Sequence, residues 1–393
     1  MIKRNTTVSN IVVGGNKATG NIPGTKLYLG DNRVFPIDGS INNTFQTGGG
    51  ANNLILTVAI SNNRVVIGGS FTAYAIGSDQ RITVRNLDGN SNSTFSSGSG
   101  FNNTVGEISL QPDGKIIISG EFTNYNNNAR NRMVRLNTDG SIDNTFSIGT
   151  GFDFSPRSTK IQTDGKLIVG GGFSNYNGTG RNGIIRLNTN GSLDNTFNIG
   201  TGVDGVVLST VIQPDGKVIV GGFFTNYNGT GRNNLVRINT DGTVDTSFTI
   251  GTGFNSVINN LNLQADGKII VTGGYTSYNS ITRNRIVRLN TDGSFDNTFS
   301  IGTGFNGTVN STLLQPNGKV IVGGSFTLYK GVASNFIIRL NSNGDIDKTF
   351  DIGTGFNNFV SCIGGLPDNE IIVGGDFTLF NGNIRNRIVS LYS

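Results

Sequence analysis

The tripeptide Asp113-Gly114-Lys115 returns as Asp164-Gly165-Lys166, Asp215-Gly216-Lys217 and Asp266-Gly267-Lys268, each 51 residues after the last. The same step reaches degenerate copies at Asn317-Gly318-Lys319 and Asp368-Asn369-Glu370, and backwards at Asn62-Asn63-Arg64. A fixed period of this size marks a repeat architecture, in which each unit buries its apolar faces only against its neighbours. Seven such units fill all but the N-terminal part of the 393 residues.

Within one unit the pattern is that of short strands. Residues 107–110 alternate polar and apolar, as a half-buried strand does. Gln111-Pro112-Asp113-Gly114 is a tight turn, because Asp-Gly supplies the positive backbone angles of a short hairpin. Residues 115–122 (KIIISGEF) are rich in β-branched side chains and read as a second strand. A polar loop, 123–131, leads to a third strand at 132–137 (RMVRLN), and a second Asp-Gly turn to a fourth at 142–146 (IDNTF). Four antiparallel strands with no helical stretch predict a propeller blade, and seven of them an all-β, seven-bladed β-propeller. The last unit ends in its third strand at 387–393, whereas Asp38-Gly39-Ser40-Ile41-Asn42-Asn43-Thr44-Phe45 matches a turn and fourth strand. The N-terminal segment is therefore expected to complete the last blade and leave no free sheet edge there. This divides the chain into an arm, 1–32, and a propeller, 33–393.

Composition narrows the chemistry. Charged residues make up only 14%, and the net charge is +5 with no basic cluster, so nucleic acid is not an expected partner. No run of apolar residues is long enough to span a membrane as a helix. Histidine is absent, which removes histidine-based triads and histidine metal sites, and Cys362 is the single cysteine, in an apolar stretch that reads as core. The glutamates are Glu107, Glu121 and Glu370, and the acids otherwise sit mostly in repeated turns, so no enzyme and no cofactor is expected. Residues 1–21 start basic but lack a continuous apolar core, which predicts synthesis in the cytosol without a secretory leader.

Recurring residues have two readings. Phe71, Phe122, Phe173, Phe224, Tyr275, Phe326 and Phe377 end the second strands, and Phe45, Phe95, Phe146, Phe197, Phe248, Phe299 and Phe350 end the fourth. Recurrence in every unit makes them wedges between blades rather than platforms for sugars or bases. Arg135, Arg186, Arg237, Arg288 and Arg339, with Arg85 as a shifted first copy, are expected to form bidentate pairs with Asp143, Asp194, Asp245, Asp296 and Asp347. The Asp-Gly turns lack the ligand set of a calcium loop.

A third ladder lies in the loops between second and third strands. It comprises Tyr125, Tyr176, Tyr227, Tyr278 and Tyr329, with Tyr74 and Phe380 at the ends, accompanied by Arg130, Arg181, Arg232 and Arg283. These are candidate binding residues, since loops on a rigid scaffold carry recognition, while their recurrence in nearly every blade points instead to a loop-stabilising role. The period breaks in three places: the first such loop (73–80), the apolar sixth (329–334), and segment 152–157 with Phe152 and Phe154.

The combined motif Q-P-D-G-K-[IV]-[IL]-[IV]-x-G-x-F and R-L-N-x-D-G-x-x-D-x-x-F resembles the delta-sixty repeat family, β-propeller repeats of bacterial surface and secreted proteins. The resemblance covers about residues 33–393; it implies a propeller and carries no defined activity or catalytic residue. A weakly charged, Asn/Gly/Thr-rich propeller made in the cytosol suits a bacteriophage virion component such as a fibre, spike or decoration protein. Its expected partners are other virion or surface proteins, met through the arm, and glycans; the alternative is a bacterial surface adhesin or carbohydrate-binding module. A polysaccharide hydrolase or lyase is a distant third.

Overall fold

The computed structural model describes residues 37–393 apart from 62 and 76, and upstream of them four short strands, Ile11–Val13, Asn16–Ala18, Leu27–Leu29 and Arg33–Phe35. The expected docking role of the arm lies otherwise outside the described residues.

The repeat folds as read, with one contraction. Its first, second and third strands, Val105–Leu110, Ile116–Gly120 and Met133–Leu136, form one antiparallel sheet with the second strand in the middle. Seven such three-stranded sheets follow one another along the described chain. The expected fourth strand shrinks to a single bridge, Leu136 with Ile142. Asp143 explains why: its Oδ1 accepts from the Thr145 backbone N–H and hydroxyl (3.0 and 2.7 Å), curling the chain into a turn that competes with the ladder.

Every first–second strand pair carries a register shift at the same place, between Val105 and Glu107 in the second sheet. Such a bulge sharpens the local right-handed twist. It also explains one glycine per repeat: at Gly120 and Gly222 a Cβ would run into the carbonyl oxygens of Thr104 and Val206 across the bulge.

The core is divided into seven apolar clusters, each shared by two successive sheets. One of them joins Ile372 and Ile388 of the last sheet to Ile55, Val65 and Ile67 of the first. First strands of successive sheets pack side by side, and Val360–Gly365 of the last packs against Ile55–Ile60 of the first. The Ser361 hydroxyl donates to the Ile55 carbonyl across that junction. The fourth-strand bridge of the last sheet comes from the other end of the chain, Ile41 with Leu391. Gly39 N–H donates to Tyr392 O (2.6 Å), Asn42 N–H to Ser390 O (2.8 Å), and Asp38 pairs with Arg339 at 2.8 Å. The chain is thus all-β and propeller-like, with repeated four-segment blades. No helix among the described residues is long and apolar enough to cross a membrane.

Candidate functional site

The charged ladder is structural, and richer than a two-residue pair. In the fourth sheet Arg237 Nε and Lys217 Nζ both donate to Asp245 Oδ2, at 2.7 and 2.8 Å. The pair is single-pronged rather than bidentate, because Oδ1 is taken by the Ser247 turn (2.9 and 2.7 Å). The remaining guanidinium nitrogens reach Ser247 Oγ and the Thr291 carbonyl of the next sheet, and the guanidinium lies 4.6 Å over the Phe248 ring. Burial would raise the Asp245 carboxyl, but the hydrogen bonds from Lys217, Ser247 and Arg237 outweigh it and hold the group far below the usual carboxylate range. The arrangement repeats at Asp143, Asp194, Asp296 and Asp347. The lysine of the most visible triplet is therefore a strut of the sheet.

The two end sheets lack this triad. In the last, Glu370, Asn42 and Ser390 occupy the three places, and Asn42 Nδ2 donates to Glu370 Oε2 at 2.8 Å. In the first, Val84 stands where the second to sixth sheets carry arginine. Arg85, one residue on, occupies the position of Leu136 opposite a fourth-segment residue and so faces the other side of the sheet. The reading of Arg85 as a shifted copy is corrected accordingly: it pairs with Asp79 at 2.9 Å. Arg64 takes over the inter-sheet link, donating to Thr138 O at 2.9 Å and to Gly114 O.

The loop tyrosines are also corrected as binding residues. Tyr125, Tyr176, Tyr227, Tyr278 and Tyr329 are buried, and their hydroxyls donate to the carbonyls of Gly140, Gly191, Gly242, Gly293 and Gly344 in the turn of the same repeat. Burial pushes their phenols well above the usual tyrosine range. The rings of Tyr125, Tyr176, Tyr278 and Tyr329 pack on the buried Phe101, Phe152, Phe254 and Phe305, and Tyr227 bridges Val203, so none offers a face to a ligand. Arg130, Arg181, Arg232 and Arg283 are half-buried and each donates to the carbonyl just before it. Arg283 also lies 3.9 Å over Phe295. Cys362 is core, its thiol raised to about 12 by burial.

What faces solvent is where the repeats differ. The strand pairs Asn124–Tyr125 with Asn128–Ala129, and their equivalents, form small hairpins at the blade tips. On the second to fourth sheets the exposed tip positions hold Asn, Gly, Thr and Ala. On the fifth to seventh they hold Ile281, Leu328, Val332, Leu379 and Ile384, with Ile384 70% and Val332 51% exposed. Five aliphatic side chains thus line three consecutive tips. The sixth tip departs further: Lys330 replaces the asparagine that takes positive φ in the second to fifth and seventh repeats, and pairs with Asp345 at 2.7 Å. A second apolar spot joins Phe154 (53% exposed) and Phe223 (61%), on either side of Gly172 and Val206. Of the sequence candidates, Phe154 and the sixth loop with Val332 belong to exposed apolar surface; Ile281, Ile384, Leu328, Leu379 and Phe223 were missed. Aligning the tips column by column at the 51-residue step would have exposed them.

Among the described residues no three acidic or cysteine side chains converge on a metal site. The family described as a domain of unknown function (DUF5122) beta-propeller matches residues 111–146, 162–197, 213–248, 264–299, 315–350 and 366–389. The chain belongs to this family. It matches from the second repeat onward; the divergent first repeat lies outside the matched stretches, and the delta-sixty name remains a resemblance. No curated protein matches the sequence. Among solved structures, the chain is similar to the extracellular domain of a hybrid two component system of B. thetaiotaomicron (14% identity, TM-score 0.60, covering 91% of this chain and 41% of that one). It is also similar to the WD40 beta propeller domain of Doa1 (14%, 0.57, 91% and 97%) and to YCF48 bound to D1 peptide (13%, 0.53, 91% and 99%). The chain spans less than half of the first of these. At such identities the likeness is one of fold, and that fold is the propeller.

Proposed function

We propose that this member of the DUF5122 propeller family is a non-enzymatic display and docking platform, a structural component of a bacteriophage virion or a comparable surface assembly. Its body is a seven-bladed ring that the segment around Ile41 closes within one chain. Seven three-stranded sheets, seven inter-sheet clusters and the Ile41–Leu391 bridge support this architecture. The non-enzymatic reading is supported by carboxylates such as Asp143, Asp153, Asp204 and Asp347, which their hydrogen-bond donors hold below the usual carboxylate range, opposite to what a general acid requires.

The observation that carries the docking role is the apolar arc on the fifth to seventh tips. A monomeric scaffold has no use for aliphatic side chains standing in water at five related positions, whereas the centre of a protein interface is built from them. The occupant is another protein subunit of the same assembly. Each aliphatic side chain fully buried there contributes about 1.5–3 kcal/mol, so three aspartates in the arc cost at least about tenfold in affinity. The test compares Ile281→Asp/Val332→Asp/Ile384→Asp with the control Asn128→Asp/Thr179→Asp/Thr230→Asp, which places the same charges on the other tips. Tagged chains are followed into particles purified from infected or expressing cells. The arc variant is expected to lose incorporation at an unchanged melting temperature, and the control to keep it. Equal incorporation of both would remove the arc from the interface, and a chain found only in the free cytosolic fraction would remove the assembly role.

A further inference from the structure

The fourth repeat departs from the period twice at one place. Where the second strand ends, the other repeats carry a small or charged residue, Ser70, Glu121, Gly172, Gly274, Ser325 or Asp376, and the fourth carries Phe223. At 61% exposure it is the most exposed aromatic side chain among the described residues. Just before the third strand, the first, second, fifth and seventh repeats hold Arg81, Arg132, Arg285 and Arg387, and the fourth holds Asn234. Arg132 and Arg285 donate through NH1 to the carbonyls of Phe152 and Phe305, at 3.0 and 2.9 Å. Asn234 makes the equivalent bond to the Phe254 carbonyl, at 2.8 Å, with a shorter side chain. The bond is kept, and the space that a guanidinium fills elsewhere is left open.

The two departures meet. Phe223 and Asn234 line one recess of about 350 Å³, together with Asp204, Phe254 and Asn255 among others. Its polar groups are already engaged. Asp204 Oδ1 accepts from the Thr225 and Asn226 N–H groups (2.8 and 2.9 Å), and its Oδ2 from the Thr225 hydroxyl and the Asn226 amide. Asn255 Oδ1 accepts from the Thr276 and Ser277 N–H groups (2.9 and 3.0 Å), and Asn234 Oδ1 from Phe224 N–H (3.1 Å). A sugar or other polar ligand finds no open partner among these groups, and the remaining surface of the recess is mostly carbon. Outside it, the half-buried Val206 pairs with Phe223, and Phe154 of the neighbouring repeat adds a second exposed ring.

An aromatic side chain thus stands in water on the rim of an apolar recess that it does not fill. A two-fold interface requires a surface that is its own complement, and a projection beside a hole of matching chemistry is such a surface. We infer that two copies of this chain pair about a two-fold axis beside the fourth blade, each setting Phe223 into the recess that Asn234 leaves in the other. A different protein would need only the hole or only the projection. Because both lie on one rim, a second copy that inserts its Phe223 offers its own recess in return. The contact therefore closes at two copies instead of running on into a fibre. The net charge of +5 on a chain of this length opposes such pairing only weakly. This goes beyond the docking role: the contact sits on the fourth repeat, the apolar arc on the fifth to seventh.

The test is sedimentation equilibrium of the purified full chain over about 1–100 µM, with no other protein present. The parent is expected to pass from monomer to dimer as concentration rises, and Phe223→Ser to raise the dissociation constant at least about tenfold. Asn234→Arg refills the recess with the residue that four other repeats carry at nearly the same backbone angle, φ 64–68° against 67°. It is expected to abolish the dimer at an unchanged melting temperature. Ile281→Asp/Val332→Asp/Ile384→Asp is expected to dimerise like the parent, which separates this contact from the docking surface. A parent that stays monomeric throughout, or grows past the dimer, overturns the inference. So does a dimer that survives both Phe223→Ser and Asn234→Arg, or one that the arc variant loses.

Discussion

Replacing Asp245 by alanine is expected to lower the free energy of unfolding by about 3–5 kcal/mol, the cost of removing one partner from a buried ion pair. Arg237 and Lys217 both aim at its Oδ2, and both Asp245 and Arg237 are less than a tenth exposed. Deleting the carboxylate leaves two cations facing each other and frees the Ser247 turn. Lys217 is 30% exposed, so Lys217→Met is expected to cost about 1 kcal/mol or less. Chemical denaturation of the two variants against the parent checks the order, and equal small losses would contradict it. Acid acts on the same groups. A carboxyl whose folded pKa lies below its unfolded value of about 3.9 contributes stability fully present above that pH and lost as the pH falls toward the folded value. With five such groups, the chain is expected to stay folded to near pH 4 and to lose stability steeply below it.

A chain beginning at Thr47 is expected to fail as a folded monomer, whereas one beginning at Ile37 is expected to fold. The ten residues between carry Ile41, which bridges Leu391, and Phe45, which is 5% exposed in the cluster joining the first and last sheets. Losing one buried phenylalanine side chain costs about 3–5 kcal/mol. Adding the Asp38–Arg339 pair and five backbone hydrogen bonds to the rest of the chain brings the loss close to the 5–15 kcal/mol that folding typically leaves in hand. It also opens an unpaired sheet edge, a site for aggregation. Size-exclusion chromatography with circular dichroism distinguishes the two chains; a monomeric, folded Thr47 chain would contradict the expectation.

Much of this fold was legible because strand period, Asp-Gly turns and repeat length agree, and because the unmatched ends complement each other at Asp38–Phe45 and Arg387–Ser393. Less legible was anything set by side-chain direction. The third-strand arginine could be paired with Asp143 from spacing, yet Lys115, at the start of the second strand, gave no sign that it reaches the same oxygen. Tyr125 reads as a loop residue, but its hairpin folds back so that the hydroxyl meets Gly140. The fourth strand was overestimated because the Asp143–Thr145 turn outcompetes the ladder. The exposed arc was legible in part, through the apolar sixth loop, 329–334, that breaks the period. Ile281, Leu328, Leu379 and Ile384 were passed over because each is a single substitution inside a loop that otherwise keeps the period.

The proposed seven-bladed body rests on the segment around Ile41 joining the last sheet of the same chain. Asn42 and Ser390 face each other across the closure, Nδ2 to Oγ at 3.4 Å, with Asn42 N–H bonded to Ser390 O. The direct test is Asn42→Cys/Ser390→Cys in a Cys362→Ala background, oxidised at low concentration. A disulfide within the monomer, formed in good yield and raising the melting temperature, is the predicted result. Two free thiols in the folded chain, or bridges formed only between chains, would contradict it.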